Sequence, residues 1–276
     1  MSLFAGLLDD AAVFPPGNAP LPAALAAHRD HHAAWYAELV GPFVFPAARL
    51  GELDGTAPFP GGLSLTAAAD GLSTAVDAGG LSTGFRPDLV AVEAVPAPDG
   101  VPGLVRLLDS VLPAGVTGYV EIPRGPGRDA ALDALAGTRY LAKFRTGGVV
   151  PEAHPGEREL AETILAAVSR GIPFKCTAGL HHAVRHTDGD LEQHGFLNVL
   201  LATSAALDGA DTGDLAAVLA ALLAERSPAV VAAAVDGMSH DQMVAARTRF
   251  LSFGTCSIDD PVADLVALGL LSKPVS

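Results

Sequence analysis

From residue 88 onward the chain alternates short apolar segments of strand length with amphipathic segments of helix length, and this alternation constrains its fold more than any other feature. Residues 88–95 (DLVAVEAV), 118–122 (GYVEI), 140–146 (YLAKFRT), 172–177 (IPFKCT) and 250–256 (FLSFGTC) read as strands. Helical patterns at 101–112, 129–136, 157–169, 193–207, 214–225, 241–248 and 260–268 separate or follow them. The amino-terminal part carries the same rhythm with weaker signals. Its strands are expected at 7–14, 42–45 and 62–66, and its helices at 22–39, in a short piece through Leu53, and at 67–78. Eight strands interleaved with helices predict an α/β fold of the (β/α)8 TIM-type barrel kind. An open doubly wound sheet is the alternative that the same alternation permits.

At 276 residues the chain fits one such barrel, a single domain over residues 1–276 with an extended helical segment at about 180–248, before the last strand. Its 17 basic residues face 31 acidic ones, a net charge of −14, and no basic stripe exists to neutralise phosphates, so nucleic acid is not an expected partner. Gly, Pro or charge interrupts each apolar run before the roughly 20 residues a membrane span needs. Asp9 and Asp10 interrupt the amino-terminal segment where an export signal would be apolar. The two cysteines, Cys176 and Cys256, suit a reduced, cytoplasmic setting. A small-molecule substrate is the expected partner; no cofactor or bound metal is predicted, and the barrel's size is compatible with a homo-oligomer.

In a barrel, side chains at the carboxyl ends of the strands line the catalytic face. That rule selects Asp9 and Asp10, Glu93, Glu121, Lys143 with Arg145, Lys175, and the Gly254-Thr255-Cys256-Ser257 segment. The two lysines stand out because each interrupts an apolar strand, Lys143 between Ala142 and Phe144, and Lys175 between Phe174 and Cys176. Burying an ammonium costs several kcal/mol unless it is paired or neutralised. A structural salt bridge to Glu121 or Glu93 would satisfy one such lysine. Two on consecutive strands, each before a glycine-containing loop, point to chemistry. A second cation a few Å away would depress the first amine's pKa and ready it as a Schiff-base nucleophile.

Three segments carry a resemblance. Lys143-Phe144-Arg145-Thr146-Gly147-Gly148, then Lys175-Cys176-Thr177-Ala178-Gly179, then Phe253-Gly254-Thr255-Cys256-Ser257 resemble the late barrel of the deoxyribose-phosphate aldolases. The resemblance implies a class I aldolase-like lyase acting on a small anionic carbonyl compound. It implies Lys143 as the Schiff-base former, Lys175 as the neighbouring cation, Glu93 in the place of a proton-shuttling aspartate, and Gly254, Thr255 and Ser257 as an anion-binding turn. Glu121 is a second proton-transfer candidate. Arg145 stands where that family has a small residue, and His181-His182 follow the seventh strand where it has a Gly-Gly cradle. Arg145, Gly147, Gly148, His181 and His182 are therefore candidate substrate or anion contacts.

Two other functions fit the same residues. Imidazole and carboxylate suit divalent metals, so His181, His182, His186 and His194, with Glu121 and Asp10, would serve a metal-dependent lyase, isomerase or hydrolase. No familiar ligand spacing occurs among them. A non-catalytic barrel holding an anionic metabolite through Arg145 and the lysines is the other alternative. His28 and His32 share one face of an early helix and read as a solvated face. Alternation aims at most one of Asp9 and Asp10 into the barrel. Cys176 should face the helix layer, away from Lys175, and Asp259 or Asp260 should cap the last helix.

Overall fold

The computed structural model describes residues 3–74, 76, 88–97, 100–209 and 214–274. The strands assemble in the order β1-β10-β7-β6-β5-β4-β3-β2 and close on themselves, with every neighbouring pair parallel. They are β1 (Leu8–Asp10), β2 (Val40–Pro46), β3 (Leu63–Ala68), β4 (Leu89–Val95), β5 (Thr117–Glu121), β6 (Leu141–Arg145), β7 (Phe174–Thr177) and β10 (Phe250–Thr255). The helices α1 (Leu21–Ala33), α2 (Gly100–Val111), α3 (Arg128–Leu135), α4 (Glu157–Ser169) and α5 (Phe196–Asp208) wrap the outside. The chain is thus a (β/α)8 barrel, as the alternation predicts, and the open sheet is excluded by the β1–β10 and β1–β2 pairings.

β1 is shorter than expected, because the Asp10 carboxylate accepts the Ala12 backbone N–H at 3.1 Å and turns the chain out of the ladder. β2 tolerates Pro42 through a register shift between Val40 and Phe43, where no ladder N–H is required. β3 continues through Ala68, so the helix expected from residue 67 begins only after a 3-10 turn at Ala69–Gly71. The rest of that expected helix, residues 75, 77 and 78, lies outside the described residues. The helix expected over 22–39 ends at Ala33, where Ala34 turns extended.

The long segment before β10 opens with a hairpin that the helical reading passed over, β8 (His186–Asp188) and β9 (Leu191–Gln193), joined across Gly189 and Asp190. Among the described residues four helices then follow, α5, α6 (Leu215–Ala224), α7 (Pro228–Asp236) and α8 (His240–Arg247), where the pattern suggests three. The extra one, α7, carries its own start signal: the Ser227 hydroxyl accepts the Val230 N–H ahead of Pro228. The last helix, α9 (Asp259–Ala267), takes its hydroxyl acceptor from Ser257, which accepts the Asp260 N–H at 3.3 Å, and neither aspartate caps it.

The apolar core fills the space between barrel and helices. Phe196 of α5 stacks on Phe253 of β10 with ring centroids 5.0 Å apart. His28 corrects the solvated-face reading of α1. It is fully buried among Phe43 and Phe59, with Nδ1 2.9 Å from Asp10 and Nε2 3.0 Å from the Pro60 carbonyl. The helical pattern alone did not reveal that α1 packs this face on β1 and β2.

Candidate active site

The barrel's centre is charged where such centres are normally filled by layers of branched apolar side chains. Period-two alternation sends Asp9 inward from β1, Ser64 from β3, Glu93 from β4, Tyr119 and Glu121 from β5, Lys143 from β6, Lys175 from β7 and Ser252 from β10. Lys143 and Lys175 are Cα partners in the β6–β7 ladder. Lys175 donates to Asp9 at 2.5 Å and to Glu93 Oε1 at 2.6 Å. The other Glu93 oxygen lies 3.6 Å from Lys143 Nζ, and Glu121 lies 3.1 Å from the same amine. Ser252 donates to Asp9 at 2.8 Å and Ser64 to Glu93 at 2.9 Å. A continuous chain of opposite charges therefore runs Asp9–Lys175–Glu93–Lys143–Glu121.

This arrangement corrects the expected role of Lys175. A bare second cation would disfavour protonation of its neighbour, but Glu93 stands between the two amines and bridges them. Burial works against the Lys175 ammonium, yet the carboxylates of Asp9 and Glu93 outweigh it and hold its pKa above the ordinary lysine value. Burial also pushes Glu93 upward, but the charges of Lys175 and Lys143 prevail and bring it down to about 2. Glu93 is therefore a fixed carboxylate at neutral pH and suits a counter-ion better than a proton shuttle. In Asp9 burial wins over Lys175, and its pKa is raised. Tyr119, with the Lys175 amine 5.2 Å from its ring centroid, is pushed up to about 12, mainly by burial.

The pH consequence has a definite sign. A carboxyl whose folded pKa lies below 4.5 contributes stability that is present above that value and lost as pH falls toward 2. Asp9, shifted upward, contributes in the opposite sense. Wild-type protein is expected to lose stability more steeply from pH 4.5 toward 2 than Glu93→Gln, by about 3 kcal/mol across that window. Urea-unfolding midpoints at a series of pH values measure this, and parallel curves would contradict it.

One glycine makes room for the network. The irregularity in β2 brings Gly41 against Asp9, and a Cβ at Gly41 would collide with the Asp9 carboxylate. Gly41→Ala is expected to cost about 1–3 kcal/mol, the usual penalty for overpacking, read as a lowered thermal midpoint.

Above the network a cavity of about 390 Å³ opens at the carboxyl ends of the strands, lined by Glu93, Glu121, Lys143, Arg145, Gly148, His181, Gly254 and Cys256 among others. Lys143 is only 4% exposed but reaches its floor, whereas Lys175 and Asp9 lie beneath it. Arg145, two residues beyond Lys143 on the same face, is exposed on the rim, and no ion pair or hydrogen bond engages its guanidinium among the described residues. Gly147 is buried against Gly179; a Cβ on it would come within 2.8 Å of the Gly179 Cα. The β6 and β7 loops touch there, and Ala178 is held at φ +62°, a left-handed conformation for a non-glycine residue, while its carbonyl accepts the Thr146 hydroxyl at 2.6 Å.

The remaining candidates scatter. His181 lines the cavity with Nδ1 3.5 Å from both Thr255 Oγ1 and Cys256 Sγ, and burial, then His182, lowers its pKa. The Thr255 hydroxyl donates to the Ser257 carbonyl at 2.9 Å. His182 turns outward to Asp264 at 3.0 Å, with the His186 ring 4.4 Å from its own. His194 is buried between Arg185 and the Pro155 carbonyl, and burial lowers its pKa to about 4. Among the described residues no group of three or more His, Cys, Asp or Glu side chains converges in a metal-holding arrangement. Asp10 bonds His28 behind β1, and Cys176 is fully buried, its pKa raised by burial. Ser64 and Ser252 were not among the selected site residues, although both, like the lysines, are polar residues inside apolar strands.

No protein-family model matches the chain, and no curated protein sequence matches it. Among solved structures it is similar to the carboxyl transferase domain from Rhizobium etli pyruvate carboxylase with 3-bromopyruvate, at 13% identity and a TM-score of 0.33 over 88% of this chain. The chain spans 46% of the length of that structure. No helix among the described residues is long and apolar enough to cross a membrane.

Proposed function

We propose that the protein is a class I aldolase-like lyase that forms a Schiff base between Lys143 and a small anionic carbonyl compound. One observation carries this reading: a nearly buried lysine amine on the floor of a cavity at the carboxyl ends of barrel strands, 3.1 Å from a carboxylate that can take its proton. Glu121 accepts a proton from the Lys143 ammonium, and the free amine adds to the substrate carbonyl. Glu121 returns the proton to the carbinolamine hydroxyl, which leaves as water, and the iminium forms. Glu93, ionised and bridged to Lys175, stabilises that positive charge electrostatically.

In the cleavage step a base removes the proton of a hydroxyl β to the iminium carbon. The carbon–carbon bond breaks, its electron pair moves into the enamine, and a carbonyl product departs. His181 fits that base, since burial favours its neutral form and it lines the same cavity. Protonation of the enamine and hydrolysis of the iminium then free Lys143. Arg145 offers a planar, two-pronged grip for the substrate's carboxylate or phosphate. Borohydride added during turnover of a candidate carbonyl substrate should leave a reduced mass adduct on Lys143. Absence of an adduct with a substrate that turns over would overturn the imine.

A further inference from the structure

The cavity above Lys143 continues sideways. A second cleft of about 480 Å³ lies between the carboxyl ends of β4 and β5 and the first turns of α2 and α3, and Val95 and Glu121 line both spaces. Its wall is largely aliphatic, with Val95, Pro96, Val101, Pro123 and Ala130. Glu121 is the one charged residue among its described lining residues, and that charge is already engaged by Lys143 at 3.1 Å. Val95 is 39% exposed at the junction. Apolar surface open to water beside a strongly charged cavity is unfavourable, and a hydrocarbon ligand that covers it gains the transfer free energy of each methylene it buries.

We propose that this cleft is a subsite for an aliphatic tail, so that the substrate is an anionic carbonyl compound carrying a hydrocarbon chain. The anionic carbonyl head sits at Lys143 and Arg145, and the tail passes Glu121 and Val95 into the cleft. The head's placement rests on the Lys143 reading above, whereas the tail subsite rests on the cleft itself. A specificity for chain length follows, since a short substrate fills only the first cavity and a longer one fills both.

The probes are butyrate, hexanoate and octanoate, titrated calorimetrically into the full-length protein. They have no reactive carbonyl, so the result stands whether or not Lys143 forms an imine. Affinity is expected to rise about fourfold for each added methylene. Ala130→Trp fills the cleft from an exposed position and should abolish this gain while leaving butyrate binding unchanged. Val95→Asn, which puts an amide at the junction, should reduce the gain independently. Equal affinity for the three acids, no binding of any of them, or a chain-length gain that survives both substitutions would overturn the subsite. Borohydride trapping of the matching α-keto acids tests the Lys143 imine separately, so the two readings fail by different observations.

Discussion

Lys175→Met is expected to destabilise the barrel by about 3–5 kcal/mol, the cost of leaving buried carboxylates without their cation. Asp9 and Glu93 are both almost wholly buried, and their contacts to Lys175, at 2.5 and 2.6 Å, are the shortest in the network. For a chain of this size the loss lowers the thermal midpoint by roughly 5–10 °C. Lys143→Met should cost distinctly less. Its nearer partner, Glu121, has a side chain 23% exposed and can draw on water, and Glu93 keeps Lys175. Adding Asp9→Asn and Glu93→Gln to Lys175→Met removes the orphaned charges and should restore part of the midpoint. Equal destabilisation by the two lysine substitutions would show that Lys175 is not the keystone of the charge chain.

The same contrast explains what the sequence disclosed. Lys143 and Lys175 looked alike as cations inside apolar strands, and the strand-end rule placed both toward one face. Which of them reaches the cavity and which lies under it depends on the depth of each residue along a tilted strand. Ladder register alone makes them Cα partners and leaves that depth open. Glu93 bridges the lysines because β4 sets its carboxylate between them, a fact of closure that no local pattern carries. Asp9 was ambiguous for a similar reason: alternation splits Asp9 from Asp10, but only the closure of β1 between β2 and β10 decides which one enters. The late strands were legible because their apolar runs end cleanly at glycine or proline. β1 was overextended because a side-chain bond from Asp10, invisible to hydrophobic periodicity, ends it. The histidines after β7 were grouped by proximity in sequence, and the β8–β9 hairpin disperses them to Asp264, Arg185 and the cavity.

Lys143→Arg is expected to abolish turnover and borohydride adduct formation while leaving the unfolding midpoint close to that of the wild type. A guanidinium keeps a positive charge near Glu121 and Glu93, so the alternation of charge that stabilises the interior survives. It stays protonated at working pH and has no free amine to add to a carbonyl. The variant therefore separates chemistry from folding, which Lys143→Met does not. Glu121→Gln should behave differently: Lys143 remains able to form the adduct, but without its proton acceptor the rate should fall about 10²- to 10⁴-fold. A barrel that only binds an anion predicts another pattern, in which Lys143→Arg still gains thermal stability from the ligand and no candidate substrate turns over in either protein. Full activity in Lys143→Arg would leave Arg145 and His181 to carry the chemistry and would end the imine reading.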